Sequence, residues 1–246
     1  MKLLVIPDVH GITTWKEQVD LALNDNYTHI VFLGDYVDSF TIQPNNIYNN
    51  LYDIIKIKKL YPDKITLLLG NHDYAYILDK PTTGFNHYIK YDYTRLFNMN
   101  WDLFDLAWGY EHNNKYTLLT HAGLTNDFYN DMIKDILNPN SIMHKILVTD
   151  VKESWESLPL HELLNYFKNR QDLLWRIGYK RGGSFLIGSI IWADKDELLY
   201  DNYKGIDQIV GHTQDYNVEI NYIENDILYF TDVHTEDNLV GFSITI

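Results

Sequence analysis

Seven short apolar segments along the chain are typical of buried β-strands. Each is rich in Ile, Val, Leu or aromatic residues and has the length of a strand rather than of a helix. The predicted strands cover residues 3–6, 30–33, 65–69, 117–119, 208–210, 227–230 and 240–246.

Two segments with helical spacing lie between the first three predicted strands. The first, 15–23, places its apolar residues near one face, at Trp15, Val19, Leu21 and Ala22. The second, 47–60, has a similar apolar stripe and is followed by Pro62, which stops a helix. The order strand, helix, strand, helix, strand predicts an α/β fold whose sheet is at least partly parallel.

The middle of the chain, residues 126–201, has a different pattern. It is mostly helical and aromatic, and it is interrupted by two prolines and a cluster of glycines. We interpret it as an insertion or cap between two core strands of a single domain that covers residues 1–246.

Polar side chains follow five of the predicted strands, at the point where each strand ends. The carboxyl edge of an α/β sheet is where ligands bind, so we expect these side chains to form one site. The five segments are Asp8-Val9-His10, Gly34-Asp35-Tyr36-Val37-Asp38, Gly70-Asn71-His72-Asp73, Thr120-His121-Ala122-Gly123 and Gly211-His212-Thr213.

The residue types in these segments favour a metal site. Carboxylate, amide and imidazole ligands suit Mn, Fe, Zn or Mg, and the chain has no cysteine that would add a thiolate. A carboxylate can also bridge two ions about 3.5–4 Å apart, the spacing that two-metal phosphate chemistry uses. A single Asp-x-His arises easily by chance, so we interpret the second copy, Asp232-Val233-His234, as a strand-end turn.

Charge and hydropathy narrow the choice of partners. The chain carries 34 acidic and 20 basic residues, a formal net charge of -14. Such a surface repels nucleic-acid backbones and anionic membranes, so we expect neither a polymeric nucleic acid nor a membrane as a partner. No apolar run approaches the roughly 18 residues of a membrane span, and a cytoplasmic location is the simplest prediction.

The order Asp-x-His, Gly-Asp-x-x-Asp, Gly-Asn-His-Asp, His and Gly-His resembles that of the calcineurin-like metallophosphoesterase superfamily, and it spans residues 8–212. Segments 34–38 and 191–194 are similar to those of the serine/threonine phosphoprotein phosphatases. The single-histidine ending, 211–214, is similar both to that branch and to the bacterial diadenosine tetraphosphate hydrolases. The resemblance implies a four-layer α-β-β-α sandwich with an inserted, mostly helical middle segment.

The resemblance also implies a role for each site residue. It implies two divalent metal ions, Mn²⁺ in the first place and Fe, Zn or Mg as alternatives. His72 would protonate the leaving oxygen, and Asp38 would orient His72. The implied metal ligands are Asp8 and His10 for the first ion, Asp35 as the bridge, and Asn71, His121 and His212 for the second ion.

One departure from the phosphoprotein phosphatase pattern concerns substrate binding. That branch has Arg-Gly directly after Gly-Asp-x-x-Asp, and the arginine holds the substrate phosphate; here the two positions are Ser39 and Phe40. Arg176 and Arg181 are candidate replacements, because they lie in a basic, glycine-rich segment and arginine matches phosphate oxygens bidentately. The alternative is an ordinary solvated loop.

Three functions remain open at this point. The first is hydrolysis of a phosphate monoester in the manner of the serine/threonine phosphatases, and the second is hydrolysis of a phosphoanhydride in a dinucleoside polyphosphate or related nucleotide. The third is a metal-binding scaffold without turnover. The expected partner is thus a phosphorylated substrate, either a phosphoprotein or a nucleotide. Four aromatic residues near the motifs could line the pocket and stack against a base or ring, but packing in the core is the expected role: Tyr36, Phe40, Tyr74 and Trp192.

Overall fold

The computed structural model describes residues 1–150, 154–235 and 238–245, without the side chains at positions 149 and 150. The strands in these ranges are β1 Lys2–Ile6, β2 His29–Phe32, β3 Ile65–Leu68, β4 Phe104–Asp105, β5 Ala107–His112, β6 Lys115–Thr120, β7 Ile206–Val210, β8 Glu219–Ile223, β9 Asp226–Phe230 and β10 Phe242–Thr245. The α-helices are α1 Trp15–Asn24, α2 Pro44–Leu60, α3 Asn71–Leu78, α4 Lys90–Met99, α5 Asn126–Leu137, α6 Ile142–His144, α7 Leu160–Tyr166, α8 Gln171–Leu174 and α9 Lys195–Asp201. Short 3-10 turns cover Trp101–Leu103, Trp155–Ser157, Phe167–Asn169 and Tyr179–Arg181, and a π-helical turn covers Lys145–Asp150.

The chain divides into two compact units. The first consists of Met1–Asp105, Val210–Ile220 and Tyr229–Ile246, and the second of Leu106–Ile209 and Asn221–Leu228. The predicted single domain with an insertion at 126–201 stays a prediction.

The sheet of the first unit has the strand order β10-β1-β2-β3-β4. The four strands from β1 to β4 are parallel to their neighbours, and β10 runs antiparallel beside β1. Every residue of β3 is buried, which is why its sequence is apolar except for Thr66 instead of alternating. The parallel arrangement brings the carboxyl ends of β1, β2 and β3 to the same edge.

Helices α1 and α2 connect these strands. In α1 the predicted apolar face holds at three positions, but Leu21 is 70% exposed and lies off that face. Trp15 of α1 donates its indole N–H to Oδ1 of Asn50 in α2, at 3.0 Å. Helix α2 begins at Pro44, three residues earlier than predicted. Proline suits the first position of a helix, but the two residues directly before Ile47 are polar, so the helical pattern could not be detected there.

A second sheet has the order β5-β6-β7-β9-β8. Strands β5 and β6 form an antiparallel hairpin whose turn residues, Asn113 and Asn114, have φ of 49° and 60°, the conformation of a tight hairpin turn. The sequence did not predict β5 or β8, because both strands carry polar residues and lie partly exposed. The segment 126–201 is mostly helical where it is described, as predicted.

The architecture is mixed α/β with two sheets flanked by helices, which confirms the predicted fold class. In the described part of the chain, no helix is both long enough and apolar enough to span a bilayer.

Candidate metal centre

The loops that follow β1, β2 and β3 carry most of the predicted site residues. Asp8 and His10 follow β1, Asp35 and Asp38 follow β2, and Asn71 is the first residue of α3, directly after β3. The loops adopt conformations that are uncommon for residues with a side chain. The site residues with positive φ are His10 (43°), Asp35 (48°), Asp38 (66°) and His212 (66°).

Asp8, His10 and Asp35 form a group that fits a metal ion. Each offers one ligand atom, and these atoms lie within 4.8 Å of one another. Both aspartates are buried, and Nε2 of His10 is 3.9 Å from Oδ2 of Asp35. This set of oxygen and nitrogen donors suits Mn, Fe, Zn or Mg.

His10 is oriented by two backbone carbonyls. Its Nδ1 lies 3.0 Å from the carbonyl oxygens of both Val37 and Asp38, so Nδ1 carries the proton and donates it. Burial lowers the pKa of His10 and favours the neutral ring. Nε2 therefore keeps its lone pair, as in metal-binding histidines whose other nitrogen donates to a carbonyl.

Two glycines let the backbone approach the aspartates closely. A Cβ atom at Gly70 would lie 2.0 Å from Oδ1 of Asp35, and one at Gly211 would lie 2.3 Å from Oδ1 of Asp8. The same oxygens accept backbone N–H groups, from His72 to Asp35 at 2.9 Å and from His212 to Asp8 at 3.0 Å. The carboxylates are thus held in a tight cradle that no larger residue fits.

The predicted ligands of a second ion are distributed over the chain. Asn71 is buried in the first unit, and His212, which follows β7, belongs to that unit as well. His121 belongs to the second unit, where it follows β6 and is fully buried. Their joint binding of a second ion stays a prediction.

His72 and Asp38 form the predicted pair. Nδ1 of His72 lies 2.9 Å from Oδ2 of Asp38, and Oδ1 of Asp38 accepts a hydrogen bond from the hydroxyl of Tyr76. Burial works to lower the pKa of His72, but the carboxylates of Asp35 and Asp38 outweigh it and raise that pKa to about 9. These carboxylates therefore favour the protonated imidazole, which can donate a proton from Nε2.

Two residues that stabilise the site had no role in the sequence prediction. Asp73 is fully buried and accepts the backbone N–H groups of Tyr36 at 2.8 Å and Gly70 at 3.0 Å, which ties the β2 and β3 loops together. Tyr76, besides donating to Asp38, accepts the N–H of Asn86 at 2.7 Å. Tyr76 stands one helical turn after His72, a spacing that would have pointed to it if α3 had been predicted.

The segment interpreted as a strand-end turn also lies beside the centre. After β9, Nδ1 of His234 lies 2.8 Å from Oδ1 of Asp232, and Asp232 is buried. The ring of His234 has its centroid 5.6 Å from that of His10. The sequence shows this Asp-x-His pattern but gives no reason to prefer a site role over a chance occurrence.

Ser39 and Phe40 occupy the two positions where the phosphoprotein phosphatase pattern has arginine and glycine, and neither side chain is basic. Ser39 forms a turn, because its Oγ accepts the N–H groups of Thr41 and Ile42 at 3.3 and 3.2 Å. The expectation that Phe40 packs in the core is wrong: its side chain is 83% exposed. The other three aromatic residues are buried as expected: Tyr36, Tyr74 and Trp192.

The two candidate arginines have acidic partners within the second unit. Arg176 is buried, and its guanidinium is ion-paired with Asp127 and Asp131. Nε of Arg181 lies 2.8 Å from Oδ2 of Asp194, the residue that caps α9. These ion pairs give both arginines a structural role, and phosphate binding by them stays a prediction.

Comparison with known protein families identifies one family. Residues 1–216 match the family described as calcineurin-like phosphoesterase. The serine/threonine-protein phosphatase SIT4 of Candida albicans (strain SC5314 / ATCC MYA-2876) is 36% identical over 76 residues, which are 28% of this chain and 22% of that protein. The chain therefore matches about a fifth of the length of this curated relative.

Two solved structures are similar to the chain at low identity. The match to a cold-active protein-tyrosine phosphatase of a psychrophilic Shewanella species covers 92% of this chain and 70% of the phosphatase chain, with 16% identity and a TM-score of 0.47. A serine/threonine phosphatase of Saccharomyces cerevisiae, with similarity to human phosphatase PP5, covers 94% and 67%, with 21% identity and a TM-score of 0.44. From the family match, the chain belongs to the calcineurin-like phosphoesterases, hydrolytic enzymes that depend on two metal ions.

Proposed function

We propose that the protein hydrolyses a phosphate monoester, in the manner of the serine/threonine phosphatases, with two divalent ions of which Mn²⁺ is the first choice. The observation that carries the proposal is the His72–Asp38 pair beside the Asp8, His10 and Asp35 group. The rings of His72 and His10 have their centroids 5.2 Å apart. A proton donor and a metal-binding group thus share one edge of the first sheet.

Each residue has a defined task in this proposal. When bound, the two ions supply a polarised water and offset the charge of the phosphoryl group. Asp8 and His10 would hold the first ion and Asp35 would reach both. The second ion would take the remaining predicted ligands: Asn71, His121 and His212.

The proton needed by the leaving oxygen comes from His72. Asp38 accepts the Nδ1–H of His72, which fixes the ring and makes Nε2 the nitrogen that donates. Tyr76 in turn holds Asp38 through a hydrogen bond to its second oxygen. The departing alkoxide or phenoxide therefore leaves as an alcohol or phenol.

The monoester is preferred because segment 34–38 is similar to the phosphoprotein phosphatase motif, and the Candida albicans relative is a serine/threonine phosphatase. One observation favours the second candidate, hydrolysis of a dinucleoside polyphosphate. Phe40, two residues from Asp38, is 83% exposed, and an exposed ring at the edge of the centre suits stacking against a nucleobase. A scaffold without turnover is the weakest candidate, because His72 and all six predicted metal ligands are present.

A substrate panel tests the proposal. The Mn²⁺-loaded protein would be assayed with a phosphoserine peptide, an aryl phosphate, an aryl phosphodiester and diadenosine tetraphosphate. We expect the two monoesters to be turned over fastest. Preference for diadenosine tetraphosphate would move the assignment to the second candidate. If none of the four substrates is turned over while two ions are bound, the metal-binding scaffold becomes the best assignment.

A variant tests the role of His72. His72→Ala removes the proton donor, so we expect turnover of an alkyl phosphate to fall by about 100- to 10,000-fold, the range of general acid catalysis. Metal content should not change. The matched control is His112→Ala, at an exposed histidine that ends β5 in the second unit. Turnover of the His72 variant at the rate of the control would exclude the proposed acid.

A further inference from the structure

Two histidines flank the ring of His10, and only one of them belongs to the predicted site. The centroid of His72 lies 5.2 Å from that of His10, and the centroid of His234 lies 5.6 Å from it. Both flanking rings are held in the same way. Nδ1 of His72 meets Asp38 at 2.9 Å, and Nδ1 of His234 meets Asp232 at 2.8 Å. The centre therefore has a second Asp–His pair.

The backbone around this second pair is firmly hydrogen-bonded. Thr231 donates both its N–H and its hydroxyl to the carbonyl of Val210, at 2.8 and 2.9 Å. The carbonyl of Asp232 accepts the N–H of Asp215 at 2.9 Å. The carbonyl of His234 accepts the side-chain amide of Gln214 at 2.8 Å. Such a segment holds its side chains in place and differs from a loosely attached turn.

The exposure of the pair indicates which atom faces a ligand. Asp232 has a side chain that is 2% exposed, whereas that of His234 is 16% exposed. Since the carboxylate of Asp232 takes up Nδ1, Nε2 is the nitrogen of His234 that remains for a ligand. The same arrangement leaves Nε2 of His72 to the leaving group in the proposed function.

The centre also has a need for a further hydrogen-bond donor. A phosphoryl group brings three non-bridging oxygens, which proteins commonly bind with arginine. In the described residues, three of the four arginines are ion-paired with aspartates of the second unit: Arg170, Arg176 and Arg181. A fixed imidazole beside His10 supplies such a donor within the first unit.

We propose that His234, positioned by Asp232, binds the substrate by donating a hydrogen bond from Nε2 to a non-bridging oxygen of the phosphoryl group. Both ring nitrogens then donate, one to Asp232 and one to the phosphate, and Asp232 balances the charge of the ring. The inference rests on the proposed function of the same centre. It makes His234 a binding residue and leaves His72 as the proton donor.

The test compares His234→Gln with His112→Gln, a matched control at an exposed histidine of the second unit. The first readout is the affinity of the Mn²⁺-loaded protein for inorganic phosphate, measured by isothermal titration calorimetry. We expect His234→Gln to weaken phosphate binding by about 10-fold, because a neutral amide donor replaces a charged imidazolium donor. The control should bind phosphate as the wild type does, and both variants should keep two ions per chain.

The second readout separates binding from proton donation. kcat/KM would be measured with two aryl phosphates whose leaving groups differ in pKa. A contact to a non-bridging oxygen lowers kcat/KM of both substrates by the same factor, whereas loss of a proton donor affects the more basic leaving group more strongly. We therefore expect a uniform fall in His234→Gln and a leaving-group-dependent fall in His72→Ala.

Several results would overturn the inference. Unchanged phosphate affinity in His234→Gln would show that the pair is structural. Loss of one bound ion in this variant would show that His234 is a metal ligand. A fall in kcat/KM that depends on the leaving group would show that His234 acts as an acid. Asp232→Asn provides a second variant: a weaker but similar loss is expected, and it should not add to that of His234→Gln. If the wild type binds phosphate but hydrolyses no ester, the proposed function fails while the binding test still stands.

Discussion

The substitution Gly70→Ala tests the close approach of the backbone at Gly70 to Asp35. Gly70 has φ of -96° and ψ of 175°, a conformation that alanine adopts without strain. The added methyl group would nevertheless lie 2.0 Å from Oδ1 and 2.7 Å from Cγ of Asp35. It would also lie 2.5 Å from the backbone nitrogen of Asp35, so the effect comes from displacement of both the side chain and the backbone of that residue.

The distances set the size of the effect. Oδ1 must retreat by about 1.4 Å to reach an ordinary contact of 3.4 Å. Such a movement also stretches the hydrogen bond that this oxygen accepts from the N–H of His72, now 2.9 Å. Forcing an extra methyl group into a packed site costs about 1–3 kcal/mol. A shifted ligand or its supporting partner lowers metal affinity by about 10- to 100-fold.

The assay is Mn²⁺ binding by calorimetry, together with urea unfolding of the metal-free protein. The control is Gly182→Ala, where the methyl group meets no atom within 4 Å but φ is +79°. The control should lose about 1–2 kcal/mol of stability through backbone strain alone and keep its affinity for Mn²⁺. Wild-type Mn²⁺ affinity in Gly70→Ala would show that Asp35 is not held against Gly70 as a ligand.

Two further predictions concern side chains of the first unit. Tyr76→Phe removes the hydroxyl that donates to Asp38, so we expect the free energy of unfolding in urea to fall by about 1–3 kcal/mol and kcat to fall as well. The control Tyr93→Phe loses only a hydrogen bond to the carbonyl of Pro44, so it should lower stability and leave kcat unchanged. An equal kcat in the two variants would contradict the role of Tyr76. Burial lowers the pKa of His29 to about 4 from an ordinary 6.5. Between these pH values the unfolded chain therefore binds more protons than the folded chain. The free energy of unfolding should fall by up to about 3 kcal/mol as the pH drops from 6.5 to 4. His29→Gln should flatten urea midpoints measured across that window, and slopes equal to the wild type would refute the assignment.

The sequence predicted strands from their mostly apolar runs, and it predicted the candidate ligands that follow those strands closely. In β3, unbroken burial goes with a run that is apolar except for Thr66, and Gly70 and Asn71 soon after it mark the edge of the sheet. Where burial is partial, as in β5 and β8, polar residues hide the strand. Helix α3 was missed for another reason: its first turn is occupied by site residues, which mask the helical period.

The Asp232–His234 pair shows a different limit of sequence reasoning. A ligand motif directly after its strand can be recognised from neighbouring residues in the sequence. His234 and His10, in contrast, lie near opposite ends of the chain and approach each other only in the fold. It arises from the way β9 and the segment after it are held, through Thr231 and Val210. The sequence contains the residues but not this long-range proximity.

The carboxylates of the centre have a second task that explains why the loops keep their unusual conformations. Asp8 accepts the N–H of His212, Asp35 that of His72, and Asp73 that of Tyr36. Each of these bonds joins two different segments of the first unit, so a carboxylate on one segment fixes the backbone of another.

This arrangement divides the work between the oxygens of one side chain. Oδ1 of Asp35 is bound to the backbone, while Oδ2 lies 3.9 Å from Nε2 of His10, where a metal ion would sit between two donors. A residue with one oxygen cannot do both, which explains why aspartate is needed at this position and why Asp35→Asn is a harsher change than its size suggests. The ligands are therefore positioned by the fold before any ion binds, and an ion meets a site whose orientation has already been set.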